Sequence, residues 1–358
     1  MHIYFIGQKG ISGISAEHSP ELRTEALARE AAQNGHNVTV AVTSAYPNTG
    51  AEQVLGIKSV HFPSLNPTIA GGYVYSFLSC LGAIWIQADV IHVQGWRAGI
   101  FMRFILPFLR NTSSVWTISS MAESNPPLFR KVLPWIMKGF DTVCSSSRTI
   151  QYRLLAGYGI KTTYIPDGYS ISPLPEVTPA SVGLKRDQYS ILLAENPITI
   201  RQIVRAYAAS KSKKKLVVFG KGRTSSHITY INIAPMSRTT LSLIRQASLV
   251  IVADSRFSTL LLQAMDAGRK IIATTDSLHE EILGVSGKYY AQKDIKQLPQ
   301  LIKETLRKNT LPGISTRAKN HFSWEKIGQE YDRAYKHSKA IVVPFDSIIP
   351  RKSFKIAG

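Results

Sequence analysis

The sequence predicts an α/β protein of two domains, each a parallel sheet covered by helices on both faces, with a cleft between them. Three observations carry this. The 358 residues exceed the roughly 150 that one domain core usually organises. Short β-branched runs alternate with stretches of helical spacing, and strand–helix–strand order of this kind implies crossovers and therefore parallel pairing. The alternation halts at SISPLPEVTPASVGLKR (170–186), which is rich in Pro and Ser and has no period, and then starts again.

In order, HIYFIG (2–7) reads as a strand, and a helix follows from about Pro20 to Asn34. Its Leu22, Ala26, Leu27 and Ala31 recur at helical spacing, and Gly35 stands where a left-handed C-cap belongs. Further strands are expected at 37–43, 89–94, 113–119, 142–146 and 162–166. Residues 67–88 carry no charge over about the ~20 residues a spanning helix needs. Pro67, Gly71, Gly72, Ser76, Ser79 and Gln87 interrupt the run, so a buried or interfacial helix is expected. The second half offers strands at 189–195, 215–220, 248–254 and 270–275, with helices near 198–210, 237–247 and 258–267. The domains are therefore 1–170 and 189–322, joined by a linker at 171–188. Residues 323–358 form a C-terminal helix and a basic tail that return toward the first domain.

Composition narrows the partners. The formal net charge is +20, and 30 of the 43 Lys and Arg lie beyond residue 170, against 14 of the 23 acids. A field of this sign attracts phosphorylated ligands or anionic headgroups. The basic half lacks aromatics interleaved on a recognisable nucleic-acid module, so nucleic acid is not an expected partner. Cys80 and Cys144 lack metal-ligand spacing and read as buried thiols. Met1 opens directly on a strand-like run without a basic leader, so a cytoplasmic location is expected.

Five segments, in order, resemble the family 4 glycosyltransferases. They are the opening MHIYFIGQKGI…ELRTEALAREAAQNGHNVTV, then ADVIHVQGWRAGI (88–100), YIPDGYS (164–170), FSTLLLQAMDAGRKIIAT (257–274) and HFSWEKIGQEYDRAY (321–335). The resemblance runs from Met1 to about Lys336. It implies two facing Rossmann-like domains (the GT-B type), an acceptor held mainly by the first, and a nucleotide-sugar donor held by the second. It also implies retention of anomeric configuration without a metal or other cofactor.

Carried over residue by residue, the resemblance exposes departures. The family's two donor-side Glu fall on Ser255 and Gln263, and a second register brings Asp254 to the site. Gln263 keeps an acceptor oxygen for a ribose hydroxyl. Ser258 and Thr259 replace Gly-Leu at a helix start where free amides favour a diphosphate, and their hydroxyls are suited to capping. The family's diphosphate-binding Arg falls on Glu195 and its Lys near Ile200 or Arg201. Lys221 and Arg223, in the Gly-containing turn FGKGR (219–223), are alternative phosphate partners. On the first domain His18-Ser19 replace paired glycines, Ser119 replaces a His, and Lys9, Gly10 and Gly13 remain as loop residues. His18 is a candidate replacement group. His36 and His92 lie within retained pattern and read as structural.

Two basic-apolar stretches, RAGIFMRFILPFLR (97–110) and LFRKVLPWIMKGF (128–140), place Arg97, Arg103, Arg110, Arg130, Lys131 and Lys138 among Trp and Phe. Helices of this composition suit an anionic headgroup layer, which fits a lipid-linked or glycan acceptor and a peripheral position on the inner membrane face. Two functions follow: a divergent sugar transferase building a cell-surface polysaccharide or glycolipid, or a non-catalytic member that partners an active transferase or senses a nucleotide sugar.

Overall fold

A computed structural model describes residues 1–11, 20–45, 56–64, 69–109, 111–119, 127–169, 178–233, 237–308 and 313–336. The N-terminal sheet has strands β1 (His2–Ile6), β2 (Asn37–Thr43), β3 (Lys58–Phe62), β4 (Val90–Gln94), β5 (Ser113–Ile118), β6 (Thr142–Ser145) and β7 (Thr163–Tyr164). All its pairings are parallel, in the order β3-β2-β1-β4-β5-β6-β7. The helices are α1 (Pro20–Gln33), α2 (Ile69–Ile86), α3 (Trp96–Ile105), α4 (Pro127–Met137) and α5 (Arg148–Tyr158). The C-terminal sheet runs β10-β9-β8-β11-β12-β13, again all parallel. Its strands are β8 (Tyr189–Leu193), β9 (Lys215–Phe219), β10 (Ile228–Ile231), β11 (Leu249–Val252), β12 (Lys270–Thr274) and β13 (Lys288–Tyr290). Helices α6 (Pro197–Ala209), α7 (Arg238–Gln246), α8 (Ser258–Asp266), α9 (Ser277–Leu283), α10 (Leu298–Arg307) and α11 (Ile314–Phe322) cover it.

Three strands escape the sequence reading. β3, β10 and β13 are outer strands with partly exposed residues (KSVHF, ITYI, KYY), and they lack the continuous apolar run that marks a strand buried on both faces. The stretch at 67–88 contains α2, and no helix among the described residues is long and apolar enough to cross a membrane. Pro107 ends α3 early, because a proline cannot supply the next backbone donor, and residues 106–108 tighten into a 3-10 turn. Much of the expected linker is C-terminal-domain structure. Pro179–Val182 forms a 3-10 turn, Leu184 joins that domain's core, and the Asp187 amide donates to the Gln246 carbonyl. Residues 170–177 lie outside the described residues, as do 337–358 of the expected tail.

The N-terminal core shows why small residues recur beside large ones. Trp116 on β5 is fully buried, with its Nε1 donating to the Gly95 carbonyl at 3.2 Å. Gly99 on α3 leaves room for its ring, since a Cβ there would sit 2.4 Å from it. Gly7 ends β1 at φ 102°, where a Cβ would meet the Gln94 carbonyl oxygen at 1.7 Å. Glycine therefore lets the ends of β1 and β4 converge where the strand order reverses.

The last helix, α12 (Trp324–Lys336), leaves the C-terminal domain and packs on the first. Ile327, Tyr331 and Tyr335 share a core with Ile3, Phe5 and Val38. His92 bridges Tyr335 Oη and Thr117 Oγ1, each at 2.8 Å, and Thr117 reaches Tyr331 Oη at 2.9 Å. Burial, with Arg23 adding to it, pushes the His92 pKa down to about 3. This imidazole is neutral and ties the returning helix to β4 and β5. His36 does similar work from the surface, 2.7 Å from Asp332 Oδ1.

Candidate functional site

Strand order in the second sheet reverses between β8 and β11, and crevices outside the carboxyl ends of strands at such a point are where open α/β sheets bind ligands. A cavity of about 400 Å³ lies there. Asn196 and Thr199 line it beyond β8, Ala253, Asp254 and Ser255 beyond β11, Thr274 to Leu278 at the end of β12, and Gln292 beyond β13. Local chemistry builds each wall. Asn196 caps α6, its Oδ1 accepting from the Ile198 amide at 2.9 Å, while Gln292 Nε2 donates to Thr199 Oγ1 at 3.1 Å. Asp276 caps α9, accepting from the Leu278 and His279 amides at 3.0 and 2.9 Å. Its other oxygen is 2.5 Å from the buried His279 Nδ1. Although burial works against the charge, hydrogen bonds from His279 leave the Asp276 pKa below the usual carboxylate range.

The β11 wall differs from the expectation. A 3-10 turn at Ser255–Phe257 precedes α8, so Phe257 and not Ser258 holds the N-cap position, and no side chain caps there. The Phe257 amide donates to the Asp254 carbonyl, and Ser258's donates to Ser255's. Asp254 itself closes the turn, its Oδ1 accepting from the Arg256 amide at 3.1 Å. A carboxylate thus closes the 3-10 turn that leads into α8. The Arg256 guanidinium holds Asp254 through Nη2 at 3.0 Å and also pairs with Glu195 through Nη1. Burial opposes its charge, but these bonds keep the Asp254 pKa low.

The remaining donor-side candidates are not gathered in the cavity. Gln263 is buried in α8, and Arg201, Lys221 and Arg223 are exposed on α6 and the turn after β9; none lines the cavity. Ser258 and Thr259 start α8 but do not line it either. On the first domain, Gly10 is buried, and Lys9 is exposed with its carbonyl held by the Thr43 amide at 2.8 Å. His18 and Gly13 lie outside the described residues. Sequence reasoning missed two buried amides at the reversal of the first sheet, Gln8 and Gln94. Gln8 Nε2 donates to the Ala41 carbonyl at 3.0 Å. Gln8 Oε1 and both amide atoms of Gln94 have no partner among the described residues. A polar residue inside a run of apolar strand residues, as in VIHVQ, was the available signal.

The cavity borders the contact between domains. From α9, the Glu281 carboxylate accepts from the Arg148 amide at the start of α5 at 2.8 Å, and the Tyr164 hydroxyl also donates to it. Thr149 Oγ1 donates to Ser277 Oγ at 2.9 Å. The Arg148 guanidinium lies 3.9 Å from the Tyr164 ring centre. Burial pushes the Glu281 pKa up to about 7 even though its donors favour the charged form.

A family model described as Glycosyltransferase Family 4 matches residues 21–172. These residues are similar to the family 4 glycosyltransferases. The whole chain also superposes on proteins of the two-domain glycosyltransferase fold. A glycosyltransferase from Rickettsia africae ESF-5 has a TM-score of 0.71 at 15% identity, covering 94% of this chain and 97% of that one. The Anabaena protein HepE, solved in complex with UDP and glucose, has a TM-score of 0.67 at 14% identity, covering 94% and 99%. A UDP-GlcNAc 2-epimerase from Methanocaldococcus jannaschii has a TM-score of 0.66 at 13% identity, covering 94% and 99%. No curated protein matches the chain in sequence. Identities this low establish the shared GT-B fold alone, and the epimerase illustrates that the fold does not fix the reaction. The family 4 match covers the first domain.

Proposed function

We propose that this chain is a divergent family 4-like glycosyltransferase, moving a sugar from a nucleotide-sugar donor to a polysaccharide or lipid-linked acceptor without a metal. The observation that carries the reading is the polar cavity at the reversal point of the second sheet, beside a first domain that matches the family 4 glycosyltransferase model. HepE, of the same fold, was solved with UDP and glucose, which supports a nucleotide sugar as the ligand. Incubating the full chain with a panel of nucleotide sugars and membrane-lipid or oligosaccharide acceptors should release nucleotide. No release above a heat-killed control, with any donor and acceptor, would refute the reading.

The acceptor side supports a membrane position on the cytoplasmic face. Trp85 of α2, Phe104 of α3, Phe108 and Trp135 of α4 are exposed, the first and third by 73 and 74%. The Arg103 guanidinium stacks 4.5 Å over the Trp135 ring. Exposed aromatics beside cations suit the headgroup boundary of an anionic bilayer.

A second reading, a non-catalytic partner or sensor, is favoured by one specific observation. Arg256 is tied to Glu195 and Asp254, and no acid stands at Ser255 or Gln263. Co-purification with an active transferase, together with inactivity of the isolated chain, would support it.

A further inference from the structure

We infer that the donor-side cavity recognises a neutral polyhydroxylated group, a ribose or a pyranose, through its vicinal hydroxyls and gives a phosphate no anchor. The inference deepens the transferase reading and rests on its placement of the donor at this cavity. It differs in what it says of the diphosphate.

A phosphate site needs free backbone amides, cations or both. Among the described residues lining the cavity no cation stands, and the amides capped at its rim are taken. The starts of α6, of the 3-10 turn that precedes α8 and of α9 are each closed by a side chain of the protein. Asn196 takes the Ile198 amide, Asp254 the Arg256 amide and Asp276 the Leu278 and His279 amides. Two of the three caps are carboxylates held in their charged form, so an arriving phosphate meets negative charge where it would need donors. No Lys or Arg is among the described residues that line the cavity. Arg256 is engaged by Glu195 and Asp254.

What the walls do offer matches a diol. Hydroxyls and amides both donate and accept. Asp276 already accepts four bonds, from the Leu278 and His279 amides, Thr274 Oγ1 and His279 Nδ1, so the match falls to neutral groups. Thr275, Ser277 and Gln292 line one side and Asn196 another, a mixture that satisfies hydroxyls of either direction. The volume of about 400 Å³ is within the range of small-ligand clefts.

Calorimetric titration of the full chain at pH 7 tests this with uridine, glucose, N-acetylglucosamine, UDP, UDP-glucose and pyrophosphate, each at low and high salt. Uridine or a free sugar should bind within about threefold of the best diphosphate ligand. Pyrophosphate should not bind, and raising salt should change Kd by less than about twofold. Binding of uridine alone assigns ribose as the diol, and binding of a free sugar alone assigns the pyranose. Thr275→Trp should abolish binding and Thr275→Ser should retain it, with thermal melts confirming that both fold. UDP or pyrophosphate binding at least tenfold tighter than every neutral ligand, with strong weakening by salt, would overturn the inference, as would absence of binding by all neutral ligands. Neutral-ligand binding without nucleotide release from any donor leaves the inference standing and removes the transferase reading. Turnover with phosphate-dominated affinity does the reverse.

Discussion

Glu281 couples the two domains to pH. Its carboxyl is buried between α9 and α5, accepting from the Arg148 amide and the Tyr164 hydroxyl. Burial holds its pKa at about 7 in the folded protein, against an ordinary 4.5. Between those values the folded chain keeps a proton that the unfolded chain has lost. The group's contribution to stability is therefore full below about pH 4.5 and declines as pH rises through 7. At roughly 1.4 kcal/mol per pH unit, ionising the carboxylate in place costs the fold on the order of 3 kcal/mol. Glu281→Gln removes the titration while keeping an oxygen for the Arg148 amide. Urea unfolding of both proteins from pH 4.5 to pH 8.5 isolates this group, because the other titrations cancel in the difference. The variant should gain on the wild type as pH rises, by up to about 3 kcal/mol. A difference that stays constant within about 0.5 kcal/mol, or moves the other way, would refute the assignment of burial as the dominant cause.

Other expectations follow from packing and hydrogen bonding. Gly99→Ala pushes a methyl to within 2.4 Å of the Trp116 ring and should destabilise by about 1–3 kcal/mol in the same unfolding assay. Tyr335→Phe removes the partner of His92 Nδ1, leaving a buried polar atom. It should cost about 1–3 kcal/mol without altering any ligand affinity at the donor-side cavity. Arg256→Ala should change stability by less than about 1 kcal/mol, since its guanidinium is 63% exposed and its ion pairs are screened. The pair Phe104→Ser and Phe108→Ser should cut co-sedimentation with phosphatidylglycerol vesicles several-fold while leaving the melting temperature within a few degrees. Unchanged vesicle binding would remove the membrane reading.

Most of the fold was legible because its strands are buried on both faces and so read as apolar, β-branched runs. VIHVQ, LVIV and KIIAT announce themselves without any contact map. Outer strands did not, because β3, β10 and β13 need only part of their surface covered. The candidate site was less legible. Asp254, expected as the last residue of its strand, follows β11 together with Ser255, and a 3-10 turn there moves the cap from Ser258 to Phe257. Arg201, Lys221 and Arg223 carry the right charge for phosphate but do not line the cavity. Asn196, Thr275, Asp276 and Gln292 carry no local signal, because segments after three strands assemble them.

The sequence by itself determined two parallel sheets, the returning C-terminal segment and the uneven charge. These are properties of period and residue type, written along the chain. Only the tertiary structure decided that Asp254, Asp276 and Asn196 close the helix starts at the cavity and that Arg256 is shared by two carboxylates. It alone decided, too, that Glu281 is buried between domains. Those facts depend on distances between segments far apart in sequence, and hydrogen bonding, ion pairing and desolvation act on distance in space.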